Sequence, residues 1–159
     1  MTHASRRLFA ILSLAVVGSV AVWAAQKSSP LTYRLEVKPG DITLPAKSAA
    51  DAATPRDETI TFTVINSSGT DYESTAPTCQ TFDVEIFRVD PSGEKSVWKW
   101  SRGRMFCQTV TTVMIPSGLT WQQTVKWSFA AADVEPGKYR VAATFIPSNA
   151  EGSAAFEIH

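Results

Sequence analysis

Residues 79–108, CQTFDVEIFRVDPSGEKSVWKWSRGRMFCQ, decide the fold. Phe82, Val84 and Ile86 fall on one side of an extended chain and Thr81, Asp83 and Glu85 on the other, the period-2 pattern of a half-buried strand. Asp90-Pro91-Ser92-Gly93 follows with turn chemistry, Pro fixing φ and Gly tolerating positive φ. The returning strand carries Trp98 and Trp100, two residues apart and therefore on one face. A basic loop comes next, and a cysteine stands near each end of the whole block.

The same alternation recurs on both sides. Leu31, Tyr33, Leu35 and Val37 alternate with Thr32, Arg34, Glu36 and Lys38, and Pro39-Gly40 ends that strand. Ile60, Phe62 and Val64 give an inward face to a strand over 59–65, which Asn66-Ser67-Ser68-Gly69 turns. Asn66 also heads an N-x-S sequon, a glycan acceptor where the host glycosylates. Short strands are expected over 72–77 and 109–115. Leu119, Trp121, Val125, Trp127 and Phe129 share one parity, as do Tyr139, Val141, Ala143 and Phe145, while Phe156 and Ile158 mark the last strand. No convincing helix interrupts them. The expectation is all-β, an antiparallel sandwich of about 7–9 short strands. Pro136-Gly137-Lys138-Tyr139 suggests the tyrosine corner of an immunoglobulin-like sandwich.

The 159 residues hold one domain and a leader, and 44% hydrophobic content suffices for a core. Residues 1–25 read as a signal helix: Arg6-Arg7, then the apolar run LFAILSLAVVGSVAVWAA, closed by small residues at Ala24-Ala25. Ser-Arg-Arg-Leu-Phe partly matches a twin-arginine signal, although arginine pairs also occur in ordinary ones. The run is just short of the ~20 residues of a spanning helix, which favours cleavage over an uncleaved membrane anchor. The mature domain is then 26–159, exported to the periplasm or secreted. Residues 39–58, PGDITLPAKSAADAATPRDE, read as a mobile surface loop within it.

Export gives the cysteines meaning. In an oxidising compartment Cys79 and Cys107 have only each other as intrachain partners. A disulfide between them would stabilise by about 3–4 kcal/mol on the chain-entropy account. Free thiols or an intermolecular bridge are the alternatives, and without a CxxC a redox-active pair is not expected.

Enzyme chemistry finds little to stand on. The only histidines are His3, in the leader, and the terminal His159, so a Ser-His-Asp triad lacks its imidazole. Neither HExxH nor a Cys/His cluster offers a metal site, no glycine-rich loop offers a phosphate site, and no cofactor is implied. Asp83 and Glu85 share an outward strand face and read as solvated. Taking Arg6 and Arg7 away from 15 basic residues against 15 acidic ones leaves a slightly negative domain, which argues against nucleic acid. A membrane enters only if the leader is retained. Binding fares better. Lys99, Trp100, Arg102 and Arg104 put three cations and an aromatic in one loop, where Arg102 or Arg104 would present a base to a trypsin-like pocket or an acidic patch. In the competing reading both tryptophans are core and the arginines solvate a turn.

The order Phe62-Thr-Val-Ile-Asn66, Cys79-Gln80-Thr-Phe82-Asp83, Val97-Trp98-Lys-Trp100-Ser101, Met105-Phe106, Pro116-Ser-Gly118 and Pro136-Gly137-Lys-Tyr139 resembles the BsuPI domain, named after a bacterial intracellular proteinase inhibitor. The likeness covers roughly 59–146, and W-x-W-S followed by M-F is its most specific part. It implies an immunoglobulin-like β-sandwich and inhibition of a serine proteinase. Cys79 stands where that family usually has Gly, and Cys107 where a polar residue is usual, which fits adaptation to export. An exported chain cannot meet a cytoplasmic proteinase, so the namesake's target does not carry over. The alternative function is a non-catalytic protein–protein interaction module of the envelope, without inhibitory activity.

Overall fold

A computed structural model describes residues 30–44 and 54–159. The signal helix expected over 1–25 and residues 45–53 of the loop expected at 39–58 lie outside the described residues. Among the described residues there are ten strands: β1 Leu31–Lys38, β2 Asp41–Ile42, β3 Pro55–Asn66, β4 Tyr72–Ala76, β5 Phe82–Asp90, β6 Gly93–Lys99, β7 Thr111–Ile115, β8 Thr120–Ala130, β9 Gly137–Phe145 and β10 Ala150–Ile158. They form a three-stranded sheet in the order β1-β3-β8, a five-stranded sheet β2-β10-β9-β5-β6, and a separate pair β4-β7. All neighbours are antiparallel except β2 and β10.

The inward parities of β3, β5, β8 and β9 meet in a single core. Ile60, Phe62 and Val64 of β3 and Val125, Trp127 and Phe129 of β8 face Val84 and Ile86 of β5 and Tyr139, Val141 and Phe145 of β9. Each fully buried side chain of this size contributes about 1.5–3 kcal/mol relative to exposure. Trp127 bridges the two sheets, lying 6.3 Å from Tyr139 and 6.1 Å from Phe156. The two sheets approach closely at Gly152 of β10, where an added Cβ would sit 3.3 Å from both Phe62 and Tyr33. The fold is therefore a two-layer β-sandwich. It has the tyrosine corner: Tyr139, 2% exposed, donates its hydroxyl to the Glu135 carbonyl at 2.6 Å, four residues back.

Several local readings change. Nine antiparallel strands meet the expected 7–9, and the short parallel β2 adds a tenth, so that both ends of the 39–58 stretch are strand. Asp41 and Ile42 pair with Glu157 and Ile158, and β3 begins at Pro55. Leu119 shares the parity of β8 yet is 56% exposed, because it closes the Pro116 turn before that strand begins. Asn66 is no glycan acceptor, being fully buried. Its side-chain amide donates to the carbonyls of Thr70 at 2.9 Å and Ile115 at 2.8 Å, and its oxygen accepts from Ser68. Glu58, on the inward parity of β3, is 3% exposed with one carboxylate oxygen unpaired. Burial pushes its pKa up to about 7, against a smaller opposing pull from Arg56.

Candidate functional site

The basic loop grows out of the β5–β6 hairpin. Ser92 donates its backbone N–H to the Asp90 carboxylate at 2.9 Å to make the turn. Further along, Ile86 faces Trp98 while Phe87 faces Ser96, so Val97 is an extra residue in a bulge. Trp98 and Trp100 are both half-buried against the core, as their shared face predicts. Trp100 continues the ladder past β6, its N–H donating to the Val84 carbonyl at 2.8 Å. Its ring stacks on Phe82 at 4.3 Å and packs against Phe106 at 5.7 Å.

After Trp100 the chain tightens into two turns, Arg102 N–H to Lys99 O at 3.1 Å and Arg104 N–H to Ser101 O at 3.0 Å. Gly103 sits at φ +75° within them, a backbone that a side chain would strain. Asp83, outward on β5, fastens the loop from below by accepting the Ser101 hydroxyl at 2.6 Å and the Ser101 N–H at 3.2 Å.

The cations have unequal fates. Lys99 lies between Glu85 at 3.1 Å and Asp83 at 3.5 Å, and the Glu85 hydrogen bond raises its pKa. Burial works against the Glu85 carboxylate, but the neighbouring Ser96 hydroxyl and the hydrogen bond from Lys99 hold it below its ordinary value. The two carboxylates thus share one ammonium. Arg104 folds back, donating Nε–H to the Trp100 carbonyl at 2.8 Å with its guanidinium 4.6 Å from the ring centroid. Arg102 alone of the three is exposed without a side-chain hydrogen bond among the described residues.

The loop returns to the body at the cysteines. Both are exposed free thiols, and the backbone brings them together: Cys107 N–H donates to Cys79 Sγ at 2.8 Å and Cys79 N–H to Cys107 O at 3.3 Å. The closeness of the two thiols lowers the pKa of Cys107 and raises that of Cys79. Residues 104–107, between the turns and this junction, carry no strand, helix or turn.

Sequence reasoning did not single out Met105 as a site residue. It is 99% exposed and lines one side of a shallow depression with Thr78, Gln80, Arg104, Phe106 and Gln108. The signal was present as an apolar residue placed among Arg, Gly, Gln and Thr. Among the described residues no group of three His, Cys, Asp or Glu side chains could hold a metal ion. His159 is a strand terminus, its N–H donating to Ile42 O at 2.8 Å.

Residues 46–150 match the family described as BsuPI, intracellular proteinase inhibitor. The chain belongs to the BsuPI family. The match begins upstream of the 59–146 likeness and takes in the start of β3, so the BsuPI domain includes Glu58 as well as the loop. A search of curated proteins found no match. Among solved structures, the chain is similar to the CARDB domain of a protein from Pyrococcus furiosus, determined in complex with di-metal ions. Identity is 13% and the TM-score 0.40, with 81% of this chain and 87% of that one covered.

Proposed function

We propose that this BsuPI chain is an exported proteinase inhibitor that offers the loop following Trp100 to the cleft of a serine proteinase. The observation that carries the reading is the loop's construction: an exposed apex between two fastened ends, Trp100 stacked on Phe82 and Cys107 joined to Cys79. An inhibitory loop needs this arrangement, because a segment ordered before binding loses less entropy in the cleft. Membership of the BsuPI family supports inhibition. Arg6-Arg7 and the apolar run after them support export, which would place the target outside the cytoplasm.

In that compartment Cys79 and Cys107 would become a disulfide. The Cys107 thiolate attacks the disulfide of an oxidant, and Cys79 then displaces the reduced half. Two thiols lose two electrons and two protons, and the oxidant gains a dithiol. The full-length chain, purified as the cell processes it, is expected to slow at least one serine proteinase at micromolar concentration. No slowing across chymotrypsin, subtilisin and trypsin would overturn the reading.

A second reading, an envelope interaction module, has one observation in its favour. The outer edge of β6 pairs with no strand among the described residues, and a partner strand could add there. It predicts a co-purifying envelope protein and no inhibition. Self-association alone would count against it.

A further inference from the structure

The fastening of the loop is selective. Trp100 is stacked and hydrogen-bonded, Arg104 is folded over Trp100, Phe106 packs on Trp100, and Cys107 is joined to Cys79. Met105 lies among these residues and is 99% exposed, against 64% for Val110, 58% for Met114 and 56% for Leu119. Single exposed apolar residues are ordinary on protein surfaces. A fully exposed one whose neighbours on both sides are held is the arrangement that delivers a side chain into a pocket. The arginines are less suited to that task. Arg104 is committed to Trp100, and Arg102 leaves from within the turns, before the segment 104–107.

We infer that Met105 is the side chain that enters the specificity pocket of the target, and that the target is a serine proteinase with an apolar pocket that takes an unbranched side chain. The inference rests on the inhibitory reading above and names the partner class for that loop. The bond presented is Met105–Phe106. Its hydrolysis would add water across the peptide, leaving a carboxylate on Met105 and an amine on Phe106. Arg104 and Phe106 both lean on Trp100 and Cys107 is held at Cys79, so the new ends would stay close together and leave the cleft slowly. A proteinase with an acidic, trypsin-like pocket would find a free base only at Arg102, within the turns and outside the segment 104–107.

The test compares full-length wild type with Met105→Ala, Met105→Arg and Met114→Ala against chymotrypsin, subtilisin and trypsin. Wild type is expected to inhibit chymotrypsin or subtilisin in preference to trypsin. Met105→Ala should weaken that inhibition by roughly 10–200-fold, the range for lost apolar contacts in such a pocket. Met105→Arg should move the preference toward trypsin. Met114→Ala, an exposed apolar side chain on β7, should change nothing. Because Met105 is exposed, its variants should keep the wild-type melting temperature, which separates loss of contact from loss of fold. Mass spectrometry of long incubations should find any cleavage between Met105 and Phe106. Equal inhibition by wild type and Met105→Ala, or wild-type inhibition of trypsin alone, would overturn the inference and leave the inhibitory reading standing. No inhibition of any of the three would remove both.

Discussion

Asn66, the last residue of β3, opens one polar loop and Met105 sits in another, and the two loops solve opposite problems. At Asn66 every polar atom of the side chain is used inward, joining the end of β3 to Thr70, Ser68 and the end of β7. At Met105 the polar atoms of the neighbours are used to hold the backbone, and the one apolar side chain is left outside. The first loop is a joint of the fold. The second is a mount, whose internal bonds position something that does not itself contribute to stability. Removing a key residue should therefore cost stability at the first and binding at the second.

Asn66→Ala should show the largest stability effect. It strips the buried Ile115 carbonyl of its donor, at about 1–3 kcal/mol, and breaks the bonds to Thr70 and Ser68, at about 0.5–1.5 kcal/mol each. Thermal melts should register a loss of about 2–5 kcal/mol, with inhibition intact in the fraction still folded. A melt unchanged from wild type would break the contrast. Cys79→Ser comes next and sharpens it. In oxidised protein the variant should lose about 3–4 kcal/mol by denaturant titration and become easier to cleave within 100–108. In reduced protein the two should melt nearly alike. Identical oxidised titrations would mean that no bond forms.

Glu58 adds a third case, a polar group neither satisfied nor exposed. Its folded pKa of about 7 lies above the ordinary 4.5, so the folded state holds the proton more tightly than the unfolded one. Its contribution is most favourable below pH 4.5, declines as pH rises to about 7, and levels off beyond. Glu58→Gln should remove that slope, leaving the variant more stable at pH 8 by about 1–3 kcal/mol and nearly unchanged at pH 4.5. Parallel stability curves for the two proteins would refute the assignment.

What was legible in the sequence follows from range. Phe82, Val84 and Ile86 announced their strand because alternation is local, and Pro136-Gly137-Lys138-Tyr139 announced its corner because that hydrogen bond spans four residues. β2 was invisible: two residues carry no period, and their partners lie at the far end of the chain. Asn66-Ser67-Ser68-Gly69 reads as an exposed turn because buried and exposed Asn turns share the same local chemistry. What distinguishes them is the Ile115 carbonyl, 49 residues away. For the candidate site, the sequence located the loop and its cysteines but could not apportion the side chains. Arg104 looks like a protruding base in one dimension, and only the return of the chain over Trp100 shows it turned inward. Met105 was noticed as part of a family signature, and its exposure is a property of the fold.

The exposure of Met105 has a chemical consequence as well as a geometric one. An oxidant such as hydrogen peroxide transfers an oxygen atom to an accessible thioether and leaves as water, turning a supple apolar side chain into a polar sulfoxide. A sulfoxide at the apex would no longer suit an apolar pocket. An environment that would join Cys79 to Cys107 and stiffen the loop would, at harsher potential, disarm its tip, and a methionine sulfoxide reductase would restore it. One short segment would thus answer to mild oxidation by tightening and to strong oxidation by falling silent.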